Sequence, residues 1–142
     1  MGNDELFAQL RAVDLFADLK DSYLRDIADR GSVVQHPAGS LLAEQGRSGV
    51  GFHLLLSGTA DVEVGGQSRG TMKAGDHFGE ISLIDGQPRS ADVRVGAEGA
   101  TTFALTSWNF TPLLDEHPEI SRALLKGLCA RLRNAEALLD QR

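Results

Sequence analysis

The spacing of apolar residues changes twice along the chain. Over residues 4–30 they recur every three or four positions, which predicts helices. Over residues 32–105 they alternate with polar residues in short runs between glycines, which predicts antiparallel strands. Helical spacing returns over residues 107–141. The pattern therefore predicts a mainly β protein, a sandwich or barrel with flanking helices.

Glycines punctuate the central region and set the expected strand ends. Gly58, the pair Gly65-Gly66 and the segment 96–99 are each typical of a turn. They separate short apolar runs that we expect to be individual strands. The predicted strands include residues 52–56, 60–64, 68–72, 91–95 and 101–105.

The last predicted helix carries a regular apolar stripe. Leu125, Leu128, Leu132, Ala135 and Leu139 are spaced three, four, three and four residues apart. This spacing is typical of the seam between paired helices, and it suits a homodimer. Packing of the helix on its own barrel explains much of the same pattern, so both interpretations stay open.

Length and charge narrow the class of protein. The chain has 142 residues, enough for one domain spanning residues 1–142. Its net charge is −6 and its lysines and arginines are scattered, so we expect no nucleic-acid partner. No apolar run reaches the length of a membrane span, and the N-terminus lacks a signal-peptide pattern. We therefore expect a cytoplasmic protein without a membrane partner.

The sequence offers little support for catalysis. Its four histidines, His36, His53, His77 and His117, form no metal-ligand pair at close spacing. No nucleophile motif of the hydrolase type is present. We expect no metal, no cofactor and no enzymatic activity.

One stretch carries most of the chemistry, residues 78–93. A helical turn opened by Gly79 presents free backbone N–H groups, which attract an anion. Arg89 adds a planar fork of donors that suits phosphate oxygens, and Ser90 adds a hydroxyl. Glu80 has a role beside an anion if it accepts a hydrogen bond from a sugar hydroxyl while it pairs with Arg89. These residues imply a ligand with one phosphate close to one ribose hydroxyl.

Each of these residues taken alone is more often structural. An isolated glycine is usually a turn residue, an acid at a helix start favours the dipole, and an arginine is usually solvated. Their joint occurrence in order favours a binding site.

The stretch resembles the phosphate-binding cassette of cyclic nucleotide-binding domains, the family found in bacterial cAMP receptor transcription factors, protein kinase A regulatory subunits and gated channels. The resemblance implies a jelly-roll β-roll, or double-stranded β-helix, with N-terminal helices. It also implies a long C-terminal helix that closes over the nucleotide base and often forms the dimer. The matching residues are Phe78, Gly79, Glu80, Ser82, Arg89, Ser90 and Ala91.

The resemblance implies cAMP, or alternatively cGMP, as the ligand. It places Arg89 on the cyclic phosphate, Glu80 on the ribose 2′-hydroxyl and Val62 against the sugar and base. Ala91 stands where the family often has threonine when cGMP is preferred, which favours cAMP. Asn134 is the candidate for a contact with adenine. The ligand-binding residues so implied are Val62, Gly79, Glu80, Ile81, Ser82, Arg89, Ser90, Ala91 and Asn134.

No output module follows the last helix, so we expect a sensor that signals to an unknown effector protein through that helix, or a fragment of a longer protein. The alternative is an interaction scaffold that keeps the roll without sensing cyclic nucleotides. Asp92 supports the alternative, because it places a negative charge beside the cassette where the family commonly has threonine or serine.

Overall fold

The computed structural model describes residues 3–46, 51–87 and 91–140. Helices lie at both ends of the chain and strands between them. The helices are α1 (Asn3–Arg11), α2 (Asp21–Arg30), α3 (Glu80–Asp85), α4 (Ser107–Glu116) and α5 (Pro118–Asp140), with a 3-10 turn at Asp14–Phe16. The strands are β1 (Ser32–His36), β2 (Leu41–Ala43), β3 (Gly51–Val64), β4 (Gln67–Met72), β5 (His77–Phe78) and β6 (Asp92–Thr106).

This order confirms the predicted fold class, a mainly β protein with flanking helices and a long C-terminal helix. The strands form one six-stranded antiparallel sheet in the order β1-β6-β3-β4, and β2 and β5 pair with β6 and β3 respectively. The central pair runs from Gly51 opposite Thr106 to Glu63 opposite Asp92. This pairing joins chain segments far apart in sequence and holds the sheet together.

Two strands are longer than predicted. The turns expected at Gly58 and at residues 96–99 are wrong, because both sites lie within these strands. The runs at 52–56 and 60–64 belong to the single strand β3, and those at 91–95 and 101–105 to β6. The β3–β6 register shifts on both sides of Gly58, which has a φ of 81°. A Cβ on Gly58 would lie 2.1 Å from the carbonyl oxygen of Gly99. Gly58 therefore marks an irregularity within paired strands, because β3 and β6 approach each other too closely there for a side chain.

The chain divides into two compact units. The roll unit comprises residues 29–111 and holds strands β1 to β6. The helical unit comprises the chain before residue 29 and after residue 111, of which residues 3–28 and 112–140 are described.

The roll unit contains a small apolar cluster beneath its sheet. Ala43, Ala60 and Val93 are buried together, one from each of β2, β3 and β6. Partly buried side chains that pack against this cluster are Leu42, Val62, Met72 and Phe78.

In the helical unit, Arg11 fixes the link between α1 and α2. Its Nη1 donates to the backbone carbonyl oxygens of Phe16, Ala17 and Leu19, and its Nη2 pairs with Asp21 Oδ1 at 2.7 Å. These carbonyls belong to the end of the 3-10 turn and the segment after it, where the carbonyl oxygen of Phe16 also accepts the N–H of Leu19. The guanidinium therefore holds this turn in place.

Helix α5 buries only part of its apolar surface. Its buried residues are Ile120, Leu124 and Gly127. Four leucines of its C-terminal three quarters are more than half exposed, and we call them the α5 stripe: Leu125, Leu132, Leu138 and Leu139. In residues 3–46, 51–87 and 91–140, no helix combines the length and apolarity that crossing a membrane requires.

Candidate functional site

The helical turn predicted after Gly79 is present as α3. Gly79 is its N-cap with φ 89° and ψ 2°, in the left-handed region that glycine adopts easily. At the other end Gly86 has a φ of 66° and donates its N–H to the carbonyl oxygen of Ser82 at 2.9 Å. Two glycines thus confine the helix to Glu80–Asp85, as the Gly79 and Asp85-Gly86 signals predict.

Helix α3 forms one wall of a pocket in the roll unit, with a volume of about 420 Å³. Strands β3, β4, β5 and β6 contribute the lining residues Val62, Met72, His77, Phe78 and Val93. The lining residues are Val62, Met72, His77, Phe78, Gly79, Glu80, Ile81, Ser82, Asp85, Gln87, Ala91 and Val93. The predicted ligand-binding residues that the structure brings together here are Val62, Gly79, Glu80, Ile81, Ser82 and Ala91.

Three predicted site residues are not among the described residues that line the pocket. Arg89 and Ser90 lie outside the described residues. Asn134 is an exposed residue of α5 in the helical unit.

Glu80 carries a buried carboxylate in the pocket wall, with 7% of the residue exposed. His77 Nδ1 lies 3.3 Å from Glu80 Oε2. When Glu80 is ionised its carboxylate only accepts hydrogen bonds, and the Nδ1–H tautomer of His77 is then the donor. Sequence reasoning missed this role of His77. The available signal was its position three residues before Glu80, with a glycine between them that turns the chain back.

Asp92 does not turn its charge into the pocket. Its Oδ1 accepts the backbone N–H of Gln45 at 2.6 Å, and the side chain of Gln45 in turn accepts the N–H of Gly65 at 3.2 Å. Its neighbours Ala91 and Val93 both line the pocket, whereas Asp92 does not. This is the alternation of a strand, and it removes the argument that Asp92 repels a bound anion.

A second polar group lies within the sheet, behind the pocket wall. The buried Thr102 places Oγ1 2.9 Å from His36 Nε2 and 3.1 Å from His53 Nδ1. Burial lowers the pKa of His36 from its ordinary value of 6.5. The ring of His53 stacks on Phe78 at 5.2 Å, and Phe78 lines the pocket. Across the described parts of the chain, no three His, Cys, Asp or Glu side chains converge to hold a metal ion.

The similarity to known proteins covers more of the chain than the residues that line the pocket. The sequence model of the cyclic nucleotide-binding domain matches residues 33–117. A cAMP-dependent protein kinase regulatory subunit from Emericella nidulans is 38% identical over 93 residues, which are 64% of this chain and 23% of that protein. The chain therefore spans less than a quarter of the length of this curated relative.

Solved structures share the fold over most of the chain. The N-terminal domain of a transcriptional regulator from Streptomyces coelicolor A3(2) has a TM-score of 0.81 at 26% identity, covering 89% of this chain and 94% of that one. The catabolite activator protein of Thermus thermophilus has a TM-score of 0.69 at 28% identity, covering 90% and 62% respectively.

Proposed function

The chain belongs to the cyclic nucleotide-binding domain family, and we propose that it is a regulatory module that binds cAMP in the pocket of the roll unit. The observation that carries this proposal is the pocket itself: a capped α3 and a buried Glu80 face the apolar cluster across a cavity of about 420 Å³. Amide donors and a carboxylate on one wall and apolar side chains on the other match a cyclic nucleotide, which is polar at its phosphate and sugar and apolar on its base faces. The proposal takes residues 1–142 as one such domain and includes no catalytic step.

The phosphate end of the ligand is assigned to the cassette. Backbone N–H groups from Gly79 to Ser82 approach the cyclic phosphate, and Arg89 and Ser90 supply a charge and a hydroxyl. Both of these side chains are placed by the sequence resemblance alone, since they lie outside the described residues.

The sugar and base are assigned to the rest of the lining. Glu80 accepts the ribose 2′-hydroxyl, and Val62 packs against the sugar and base. Ala91 favours cAMP over cGMP, since it offers no hydroxyl at the position where cGMP-binding relatives often have one. Asn134 of α5 is the proposed contact for the adenine edge.

The output is assigned to α5. The relatives include a protein kinase regulatory subunit and a domain of a transcriptional regulator, which favours regulation of a partner by nucleotide binding. The α5 stripe is the surface that an effector protein or a second copy of the chain would cover. Nucleotide binding can alter this contact only through its differential affinity for the two states of the helix.

A thermal-shift series tests the proposal. The protein is melted with cAMP, cGMP and 5′-AMP, each up to millimolar concentration. A ligand at a hundred times its dissociation constant stabilises the folded state by about 2.7 kcal/mol. We expect cAMP to raise the melting temperature, cGMP to raise it less, and 5′-AMP to leave it unchanged because it lacks the ring-closed phosphodiester.

A second candidate function is the interaction scaffold. The observation that favours it is the α5 stripe, an exposed apolar surface whose use does not require a nucleotide. An unchanged melting temperature with every cyclic nucleotide at millimolar concentration would favour the scaffold and reject the sensor.

A further inference from the structure

His77 is held in a fixed place beside the pocket. It belongs to β5, where Leu54 of β3 is its antiparallel partner. Its ring lies 5.9 Å from the ring of Phe52, which is fully buried. Backbone pairing and a neighbouring aromatic ring therefore restrain an imidazole that is also part of the pocket lining.

The chain between His77 and Glu80 brings the two side chains together. Gly79 turns the backbone through a φ of 89°, and Glu80 begins α3 immediately afterwards. As a result Nδ1 of His77 and Oε2 of Glu80 lie 3.3 Å apart, with the histidine side chain 25% and the glutamate side chain 10% exposed. The pair is thus formed within the pocket wall and not on the open surface.

The chemistry of this pair bears on ligand recognition. A carboxylate that stays ionised in a buried site requires hydrogen-bond donors, and His77 supplies one to Oε2. The terminal torsion of a glutamate has broad minima, so each hydrogen bond to the carboxylate narrows the range of its orientations. A restrained imidazole limits this rotation before the ligand arrives, and such preorganisation strengthens binding.

We propose that His77 is a positioning residue for Glu80, so that recognition of the ribose 2′-hydroxyl depends on the imidazole N–H as well as on the carboxylate. The inference rests on the proposed function, because it concerns how the same pocket reads the sugar. It adds a residue that was not among the predicted ligand contacts.

Two substitutions separate the N–H donor from the ring. His77→Phe keeps an aromatic ring beside Phe52 and removes the donor. His77→Asn removes the ring but places its Nδ2 the same number of bonds from the backbone as the imidazole Nδ1, so it can still donate to Glu80.

The experiment measures the affinities of the wild type and both variants for cAMP and 2′-deoxy-cAMP by titration calorimetry. We expect His77→Phe to weaken cAMP binding by about fivefold, the effect of one hydrogen bond, with binding of 2′-deoxy-cAMP about unchanged. We expect His77→Asn to keep the preference of the wild type for the ribose form. Circular dichroism of each variant verifies that the fold is retained.

Three results would overturn the inference. His77→Phe could weaken the binding of both nucleotides by the same factor, which is the result expected if His77 has only a structural role. It could leave both affinities unchanged, or His77→Asn could behave like His77→Phe, in which case the N–H donor has no part in recognising the sugar. In each of these results the wild type still binds cAMP, so the proposed function survives. A wild type that binds neither nucleotide rejects the proposed function itself and this inference with it.

Discussion

The centre of the sheet in the roll unit and the C-terminal part of helix α5 differ in the exposure of their apolar side chains. In the roll unit Phe52, Leu54 and Phe103 are fully buried. On α5 the exposed fractions of Leu125, Leu132 and Leu139 are 61%, 60% and 56%. The centre of the sheet buries its apolar residues, although Val33, Val34 and Leu41 on β1 and β2 are exposed, and the α5 stripe is open to solvent. The difference assigns stability to the first region and contact with a partner to the second.

The largest expected effect is in the roll unit, at the irregular centre of β3. Gly58→Ala would place a Cβ 2.1 Å from the carbonyl oxygen of Gly99 and 2.8 Å from Ala100 Cα. Left-handed strain together with this backbone clash should lower the free energy of unfolding by about 2–5 kcal/mol, measured by urea denaturation.

Gly66→Ala is the matched control. Gly66 has the same φ of 81°, but among the described residues other than its two chain neighbours no atom lies within 4 Å of the position of its Cβ. It should lose only the strain, about 1–2 kcal/mol. Equal losses at both glycines would show that the close approach of β3 and β6 has no energetic consequence.

The next prediction compares the loss of stability when each of two leucines of α5 is replaced by alanine. Leu124 is buried, and Leu124→Ala should destabilise the protein by about 2–4 kcal/mol, because it leaves a cavity. Leu132→Ala should change the stability of a dilute monomer by less than about 0.5 kcal/mol, since that side chain is mostly exposed.

Chemical denaturation at two protein concentrations completes this comparison. A large loss at Leu132 that appears only at the higher concentration would mean that a second copy covers the α5 stripe. A large loss at both concentrations would contradict the exposure of Leu132 in the monomer.

The two leucines also mark a limit of sequence analysis. The spacing from Leu125 to Leu139 correctly predicts a helix with an apolar stripe. Periodicity reports which residues share a face, but it carries no information on what that face contacts. The two long strands show a related limit, because glycine at Gly58 or Gly99 has the same local signal in a turn and in a bulge. Only the pairing partner distinguishes the two.

The third prediction concerns the pocket. Arg89→Ala should weaken cAMP binding by about 2–3 kcal/mol, or about 30- to 150-fold, with the fold of the protein intact. Calorimetric titration measures the affinity. Arg69→Ala removes the same charge from an exposed position of β4 and should leave the affinity unchanged. Equal affinities of Arg89→Ala and wild type would reject the role of Arg89 at the phosphate.

The smallest expected effect is on the pH dependence of stability in the roll unit. Burial holds the pKa of His36 below its ordinary value of 6.5 in the folded state, so the unfolded chain binds that proton more readily. The contribution of the neutral ring to stability is therefore complete above pH 6.5, and it is lost as the pH falls below 6.5 through the lowered pKa of the folded state.

His36→Gln keeps a hydrogen-bonding group near Thr102 but does not titrate. Its melting temperature should fall less than that of the wild type between about pH 7.5 and pH 5.5. Differential scanning calorimetry across this range provides the measurement. Parallel curves for the two proteins would show that His36 has no altered pKa in the fold.

The site was predictable where local chemistry determines it. Gly79 and Asp85-Gly86 mark the ends of α3 within the chain itself, and the sequence predicts the helix correctly. The contact between His77 and Glu80 depends on the pairing of β5 with β3, and the contact between Asp92 and Gln45 depends on the meeting of β2 with β6. The first contact has only the three-residue spacing of His77 and Glu80 as a signal, and the second has no signal in residue type or spacing.

The position of Thr102 between two histidines restricts which ring nitrogens can carry a proton. A hydroxyl owns a single hydrogen, so Thr102 Oγ1 can donate to only one of the rings of His36 and His53 at a time. Whichever ring accepts that hydrogen, the other must present its own N–H to the oxygen. The tautomers of two side chains on β1 and β3 are thereby interdependent, and nitrogen NMR shifts of one imidazole should respond when the other is replaced.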